Sequence, residues 1–148
     1  MDKKISALIS QHVLNGALTI ETDLEKFDFE YLHAALQKSY WAQLRSFEDN
    51  YTAFKNSRAF MLFNQHGKVL GFARVVTDYV AFAYLADVYI NENQRGQGLG
   101  KYLVSHILVD PKLAKVKRFM LRTKDAHDLY AKFGFTQLKD PHLLMERI

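Results

Sequence analysis

The run Arg95-Gly96-Gln97-Gly98-Leu99-Gly100-Lys101 sets three glycines at alternate positions between two cations. Without side chains at that spacing, the backbone can turn tightly and bring its amides close to a ligand. The residues up to Ile90 read as a strand and those from Leu99 as a helix, so the turn would open a helix N-terminus. Unpaired amides and the positive dipole end gather there, which suits a phosphate group. Two familiar phosphate loops do not fit. A Walker A loop ending at Gly100-Lys101 needs glycine at 95 and Ser or Thr at 102, where the chain has Arg95 and Tyr102. A dinucleotide fingerprint needs glycine at 101 and a ribose-binding acid about 20 residues on; Lys101 stands at the first position and no such unit follows.

Two other residues carry chemistry. Asp87 interrupts the apolar run Leu85-Ala86-Asp87-Val88-Tyr89, and a carboxylate is costly to bury there unless something uses it. It either holds or deprotonates a substrate, or forms an ion pair with Arg74 or another base. Tyr130 lies on an apolar helical stripe with Ala126, Leu129 and Phe133, after Asp125 as N-cap and with His127 in the first turn as a proton-transfer candidate. The chain has no Cys, its Ser residues lack a nucleophile-elbow context, and its six His are scattered without ligand spacing, so no thiol intermediate and no metal are expected.

The elements that must position these residues follow from the pattern of apolar residues. Met1 to Gly16 has a helical stripe and reads as an N-terminal helical extension; residues 17–148 read as one domain. Ala17 to Thr22 is a short strand. Asp28 caps a helix with Leu32, Leu36 and Tyr40 on one face, and Ser46 caps a second with Phe47, Tyr51 and Phe54. The runs Ala59 to Phe63, Lys68 to Thr77 and Val80 to Ile90 predict an antiparallel meander, with His66-Gly67 at its first turn and no clear signal for its second. A helix from Leu99 stops at Asp110-Pro111, and Val116 to Arg122 is a strand free to pair in parallel with the one ending at Ile90. Phe135 to Leu138 and Leu143 to Arg147 are read as two closing strands. The fold class is α+β: a mixed, mostly antiparallel sheet of six to seven strands with helices on both faces, parting beside the glycine turn to leave a cleft for a long ligand.

Two motifs in this order resemble the GNAT superfamily of acyl-CoA-dependent N-acetyltransferases. One is the glycine turn after a strand; the other is Leu129-Tyr130 followed by Phe133-Gly134-Phe135, 30 residues beyond Gly100. Ser39-Tyr40-Trp41, Gly71 to Val75, Thr77-Asp78, Phe82 to Val88 and Asp125 to His127 resemble a bacterial subgroup of that family whose acceptor is not assigned. The resemblance implies acetyl-CoA as co-substrate, with Arg95, Gly96, Gln97, Gly98, Gly100 and Lys101 around its pyrophosphate. It implies backbone groups of Val88 and Ile90 along the pantetheine arm, where they polarise the acetyl carbonyl. It gives Tyr130 the role of general acid to the departing thiolate; a phenol, with a pKa of about 10, lies near an alkyl thiol. Thr123 stands where the family often has Asn in contact with pantetheine. Tyr40, Trp41, Tyr79 and Tyr84 are candidates for an acceptor pocket, and Asp87 for contact with the amine.

The implied function is direct transfer of acetyl to a primary amine of a small molecule, peptide or protein, and a homodimer is compatible with the family. Two alternatives remain: a toxin-like acetyltransferase of aminoacyl-tRNA, and a non-catalytic acyl-CoA sensor. The tRNA alternative comes from charge. Residues 1–40 hold four basic and six acidic residues, so the other sixteen basic against ten acidic residues follow later, and six cations without an acid fall between Lys112 and Lys124. The absence of Cys, of a signal-like N-terminus and of any run of about 18 apolar residues leads to the expectation of a cytoplasmic protein away from membranes.

Overall fold

The computed structural model describes residues 18–148; the predicted N-terminal helix and its domain boundary lie outside the described residues. Five strands form one sheet in the order of the chain: β1 (Thr19–Glu21), β2 (Arg58–Phe63), β3 (Val69–Thr77), β4 (Ala83–Ile90) and β5 (Phe119–Leu121). The first four pair antiparallel and β5 pairs with β4 in parallel. The parallel pairing requires a crossover, which the helix Leu99–Leu108 supplies.

Among the described residues four helices cover the sheet: α1 (Phe29–Gln37), α2 (Phe47–Lys55), α3 (Leu99–Leu108) and α4 (His127–Ala131). The caps of α1 and α2 are those read from the sequence. Asp28 Oδ1 accepts from the Tyr31 amide at 2.9 Å and Ser46 Oγ from the Asp49 amide at 3.0 Å, each satisfying a donor that the first turn leaves over. Leu32 and Leu36 of α1 and Phe54 of α2 pack with Met61 and Phe72 in one apolar layer. Leu103, Val104 and Ile107 of α3 pack with Phe60, Val75, Leu85 and Tyr130 in another. Met61 and Phe60 are neighbours on β2 that serve opposite layers, as strand periodicity requires, so helices occupy both faces.

Three features differ from the sequence reading. The second meander turn is built by one carboxylate: Asp78 Oδ1 accepts from the amides of Val80, Ala81 and Phe82 at 2.8 to 3.1 Å, while Tyr79 takes φ 67°. That side-chain cage replaces the Gly or Pro expected at a turn. At α4, Ala126 rather than Asp125 is the N-cap, and its amide donates to Thr123 Oγ1 at 3.0 Å. Most importantly, among the described residues the sheet has five strands rather than six or seven. Residues 135–148 pair with no strand; they run past a short 3-10 turn at Pro141–Leu143, and every residue from Thr136 onward is exposed. A strand needs a neighbour to satisfy its backbone groups, and within the described chain these residues meet none.

Gly71 on β3 pairs with Ile90 at the end of β4, and a Cβ there would lie 2.5 Å from the Tyr89 carbonyl oxygen and 2.7 Å from Ile90 Cδ1. Gly71→Ala must push β3 and β4 apart. The expected loss is about 1–3 kcal/mol of stability, read from thermal or urea unfolding.

Candidate active site

The register of β3 against β4 is regular at both ends and slips once in the middle. Arg74 faces Ala86 and Phe72 faces Tyr89, so Asp87 and Val88 together oppose a single β3 position. This is a β-bulge, and Asp87 adopts φ 51° within it, a left-handed conformation that costs a non-glycine residue energy. The bulge shifts the alternation of side chains along β4. Leu85, Val88 and Ile90 pack with the α3 and α4 layer and Tyr89 with the α1 and α2 layer.

Asp87 pins the bulge. Its carboxylate is almost fully buried and accepts four hydrogen bonds, about the number of its lone-pair sites. Oδ1 accepts from Trp41 Nε1 at 2.9 Å and Arg45 Nη2 at 3.0 Å; Oδ2 accepts from Arg45 Nη1 at 2.7 Å and Arg74 Nε at 2.6 Å. Burial by itself pushes the carboxyl pKa up, but the hydrogen bonds and charges of Arg45 and Arg74 outweigh it and hold the group below the usual carboxylate range. Of the two roles open for Asp87, the geometry forms the ion pair. Arg74 was foreseen. Arg45 and Trp41 were not, because they lie in the α1–α2 connection, whose sequence has no periodicity to place it.

Beyond Leu85, which faces Leu121, β4 and β5 no longer pair. The sheet opens there into a cavity of about 1250 Å³, lined by the free end of β4 and, facing it, the segment Leu121 to Ala126 with Leu129 and Tyr130 of α4. Its lining includes Arg95, Gly96, Gly98 and Gly100, which follow the Ile90 end of β4, and Tyr40, Trp41, Arg45, Arg74 and Tyr84. Thus Asp87, Val88, Ile90, Arg95, Gly96, Gly98, Gly100 and Tyr130 come together around one space. Gln97 and Lys101 are outside the lining, as are His127 and Tyr79. Lys101 lies beside Lys132, whose pKa its contact and charge lower, so two ammonium groups meet on the outer side. Of the basic cluster, Arg122 and Lys124 line the cavity, whereas the other four cations do not.

The glycine turn has the geometry its sequence implied. Gly96 and Gly98 have φ of 80° and 82°, and Gly98 is the N-cap of α3. The first helical bond runs from the Tyr102 amide to the Gly98 carbonyl at 3.0 Å, and no side chain caps the amides before it. These donors and the positive end of the helix dipole lie at the cavity, whose lining includes Gly98, Leu99 and Gly100. Arg95 Nε donates to the Ile90 carbonyl at 3.0 Å with its guanidinium 5.4 Å from the Tyr89 ring, which fixes the turn against the strand end.

Tyr130 is buried, and its ring meets Phe135 edge-on at 5.9 Å. Burial, then the phenol of Tyr40 and the carboxylate of Asp125, push its pKa up to about 12. The proton is held more firmly than an ordinary phenol holds it. Tyr40 also bridges the cavity: its hydroxyl accepts from the Lys124 amide at 3.2 Å, and the Lys124 ammonium lies 5.5 Å from its ring.

An opening between parted strands, with uncapped helix amides and Arg95 on its lining and the phenol of Tyr130 held protonated by burial, fits an acyl thioester on a phosphorylated carrier. The comparisons agree. Residues 22–135 match the acetyltransferase (GNAT) family. A GNAT-family protein from Xanthomonas campestris pv. campestris is 37% identical, with a TM-score of 0.85 over 89% of this chain and 93% of that one. A Staphylococcus aureus protein of unknown function is 20% identical, with a TM-score of 0.71 over 89% and 98%. A GNAT-family protein of Streptococcus pneumoniae is 16% identical, with a TM-score of 0.66 over 89% and 95%, and for these last two the likeness is one of fold. No functionally curated protein matches the sequence.

Asp87→Asn would leave two guanidinium groups around a neutral amide in a buried site, with an expected loss of about 3 kcal/mol. Because the folded pKa of Asp87 is depressed, its contribution is complete above the unfolded value of about 3.9 and fades as pH falls through the folded one. The melting temperatures of the wild type and Asp87→Asn should therefore converge below about pH 4; a gap that stays constant from pH 7 to pH 3 would contradict the ion-pair assignment. From the sheet architecture, the glycine turn and the family match together, this chain belongs to the acetyltransferase (GNAT) family.

Proposed function

We propose that the protein transfers the acetyl group of acetyl-CoA directly to a primary amine. The observation that carries this reading is the convergence of the uncapped α3 N-terminus, the parted strands and Tyr130 on a single cavity. The pyrophosphate would lie against the amides that follow Gly96 and Gly98, with Arg95 beside it and the lysine pair, Lys101 and Lys132, near the outer phosphates. The pantetheine arm would run along Val88 and Ile90. The bulge supports this: Asp87 and Val88 have no register partner on β3, so the local backbone is not committed to a regular ladder.

In the reaction the amine nitrogen forms a bond to the acetyl carbon, the C–S bond breaks, the amine releases a proton and the departing thiolate gains one. Tyr130 is the group suited to meet that thiolate. With a pKa of about 12 it is protonated at any working pH, and it donates a hydrogen bond as charge gathers on sulfur. Full transfer from so weak an acid is favourable only where the thiolate is desolvated too, a condition the buried position supports. Asp87 is assigned positioning rather than proton abstraction, since its oxygens are occupied and its pKa is lowered. The acceptor would enter from the end bounded by Tyr40, Trp41 and Arg45, opposite the phosphate end.

Two results test the reading. Tyr130→Phe should lower kcat by about 10² to 10⁴ in a thiol-release assay against a panel of amines while acetyl-CoA binds unchanged; a variant of full activity would remove Tyr130 from the chemistry. With the wild type, no alkaline loss of kcat due to Tyr130 is expected below about pH 10. Gly98→Val should weaken acetyl-CoA binding by about tenfold or more by calorimetry, because a β-branched residue at φ 82° strains the turn and stands among the amides.

A further inference from the structure

Among the described residues the cavity is lined by six cations, Lys38, Arg45, Arg74, Arg95, Arg122 and Lys124, against three carboxylates, Asp87, Glu92 and Asp125. Two of the three carboxylates are already engaged. Glu92 lies 3.7 Å from Lys38, and Asp87 spends its oxygens on Trp41, Arg45 and Arg74. One carboxylate between two guanidinium groups leaves that cluster with a positive charge over. The Arg45 side chain is 30% exposed; of its five N–H donors two go to Asp87, and a third reaches Asn50 only at 3.5 Å. Arg122 and Lys124 are exposed and form no ion pair with the described residues, and exposed Asp125 is the one carboxylate left to offset both.

This excess charge stands apart from the glycine turn. Arg95 is tied to the Ile90 carbonyl at the end of β4, whereas Asp87 lies further back on that strand, on the order of 10 Å away at strand spacing. Arg122 and Lys124 follow Leu121, the last residue of β5 to pair with β4, and belong to the opposite wall. The two sets of cations meet at one aromatic pair. The Tyr40 hydroxyl accepts from the Lys124 amide at 3.2 Å, the Tyr40 and Trp41 rings lie 5.0 Å apart, and Trp41 Nε1 donates to Asp87. Tyr40 is in turn near enough to Tyr130 to help push its pKa up, so the surplus cations stand beside the phenol.

We infer that the acceptor is a small amine that also carries a carboxylate close to its nitrogen, as an α- or β-amino acid does, and that Arg45, Arg122 and Lys124 bind this carboxylate. The inference rests on the acetyl-transfer reading and names its substrate class. A polyamine or a lysine side chain would add positive charge to a place that already has too much, and the four hydrogen bonds to Asp87 leave no carboxylate oxygen there to receive an ammonium group. An amino acid supplies the missing anion, and a guanidinium group with donors to spare binds it with both charge and direction. The same surroundings favour the neutral amine, the form that attacks a carbonyl carbon.

The test offers the full chain free amino acids, their carboxamides, spermidine and aminoacyl-tRNA as acceptors with acetyl-CoA. An amino acid should exceed its own amide in kcat/KM by about 10- to 100-fold, the range of one hydrogen bond to a charged group, and spermidine should be poorer still. Arg122→Ala and Lys124→Ala, both at exposed positions, should bring the ratio of acid to amide toward one. Equal use of acid and amide, a preference for spermidine, turnover of aminoacyl-tRNA alone, or a ratio that neither variant changes would overturn the inference. Binding of the product is read separately by amide NMR, because it requires no turnover. An N-acetylamino acid should shift the signals of Arg122 to Asp125 and the Arg45 Nε, whereas its carboxamide should not. If acetyl-CoA binds and no amine is acetylated while this difference persists, the transfer reading fails and the carboxylate site stands; if the acid and the amide bind alike, the carboxylate site fails.

Discussion

One buried carboxylate ties the two halves of this molecule together. Asp87 adds an extra residue to the middle of β4 and sits in a left-handed conformation that the backbone alone would resist. Two arginines and a tryptophan, from β3 and from the α1–α2 connection, hold it there. Strain in the strand and the charge cluster therefore depend on each other: without the arginines the buried carboxylate would lose the contacts that keep it ionised, and without the carboxylate two half-buried guanidinium groups would face each other uncompensated. The same contact joins the helical layer to the sheet at the place where β4 leaves β5.

From that point the functional geometry follows. A parallel pair that separates after Leu85 opens a slot along its free edges. The crossover helix that made the pairing parallel starts at the far end of the slot, so its uncapped amides and dipole lie where a charged ligand end would be drawn. The opposite wall presents Tyr130, whose burial keeps it neutral and proton-bearing. Charge is thus divided along the cavity: fixed positive dipoles at the glycine turn, a neutral donor at Tyr130, and beside Trp41 an ion cluster of one carboxylate with two guanidinium groups.

Much of this was legible in the sequence because it is local. Alternate glycines after a strand, a capping Asp28 and Ser46, and a stripe ending at Asp110-Pro111 are each decided by a few neighbours, and they form as read. Asp87 was conspicuous as a carboxylate in an apolar strand, but the bulge was not, since register is a relation between β3 and β4 and depends on Arg45 over 40 positions away. The turn at Asp78 lacked its usual residues because a side-chain carboxylate did the work of a glycine. The closing strands failed for a different reason. Leu143 to Arg147 has the composition of a strand, yet a strand is defined by its neighbour, and no neighbour exists within the described residues of one chain.

The central claim is that acetyl-CoA lies in the slot between β4 and β5 with its diphosphate on the glycine turn. Amide NMR of the labelled protein during titration with acetyl-CoA tests it most directly. The largest shifts should fall on Gly96 to Lys101 and on Val88 to Ile90, with the far edge at β1 unmoved. Shifts that spare the glycine turn, or saturate on another face of the molecule, would contradict the account.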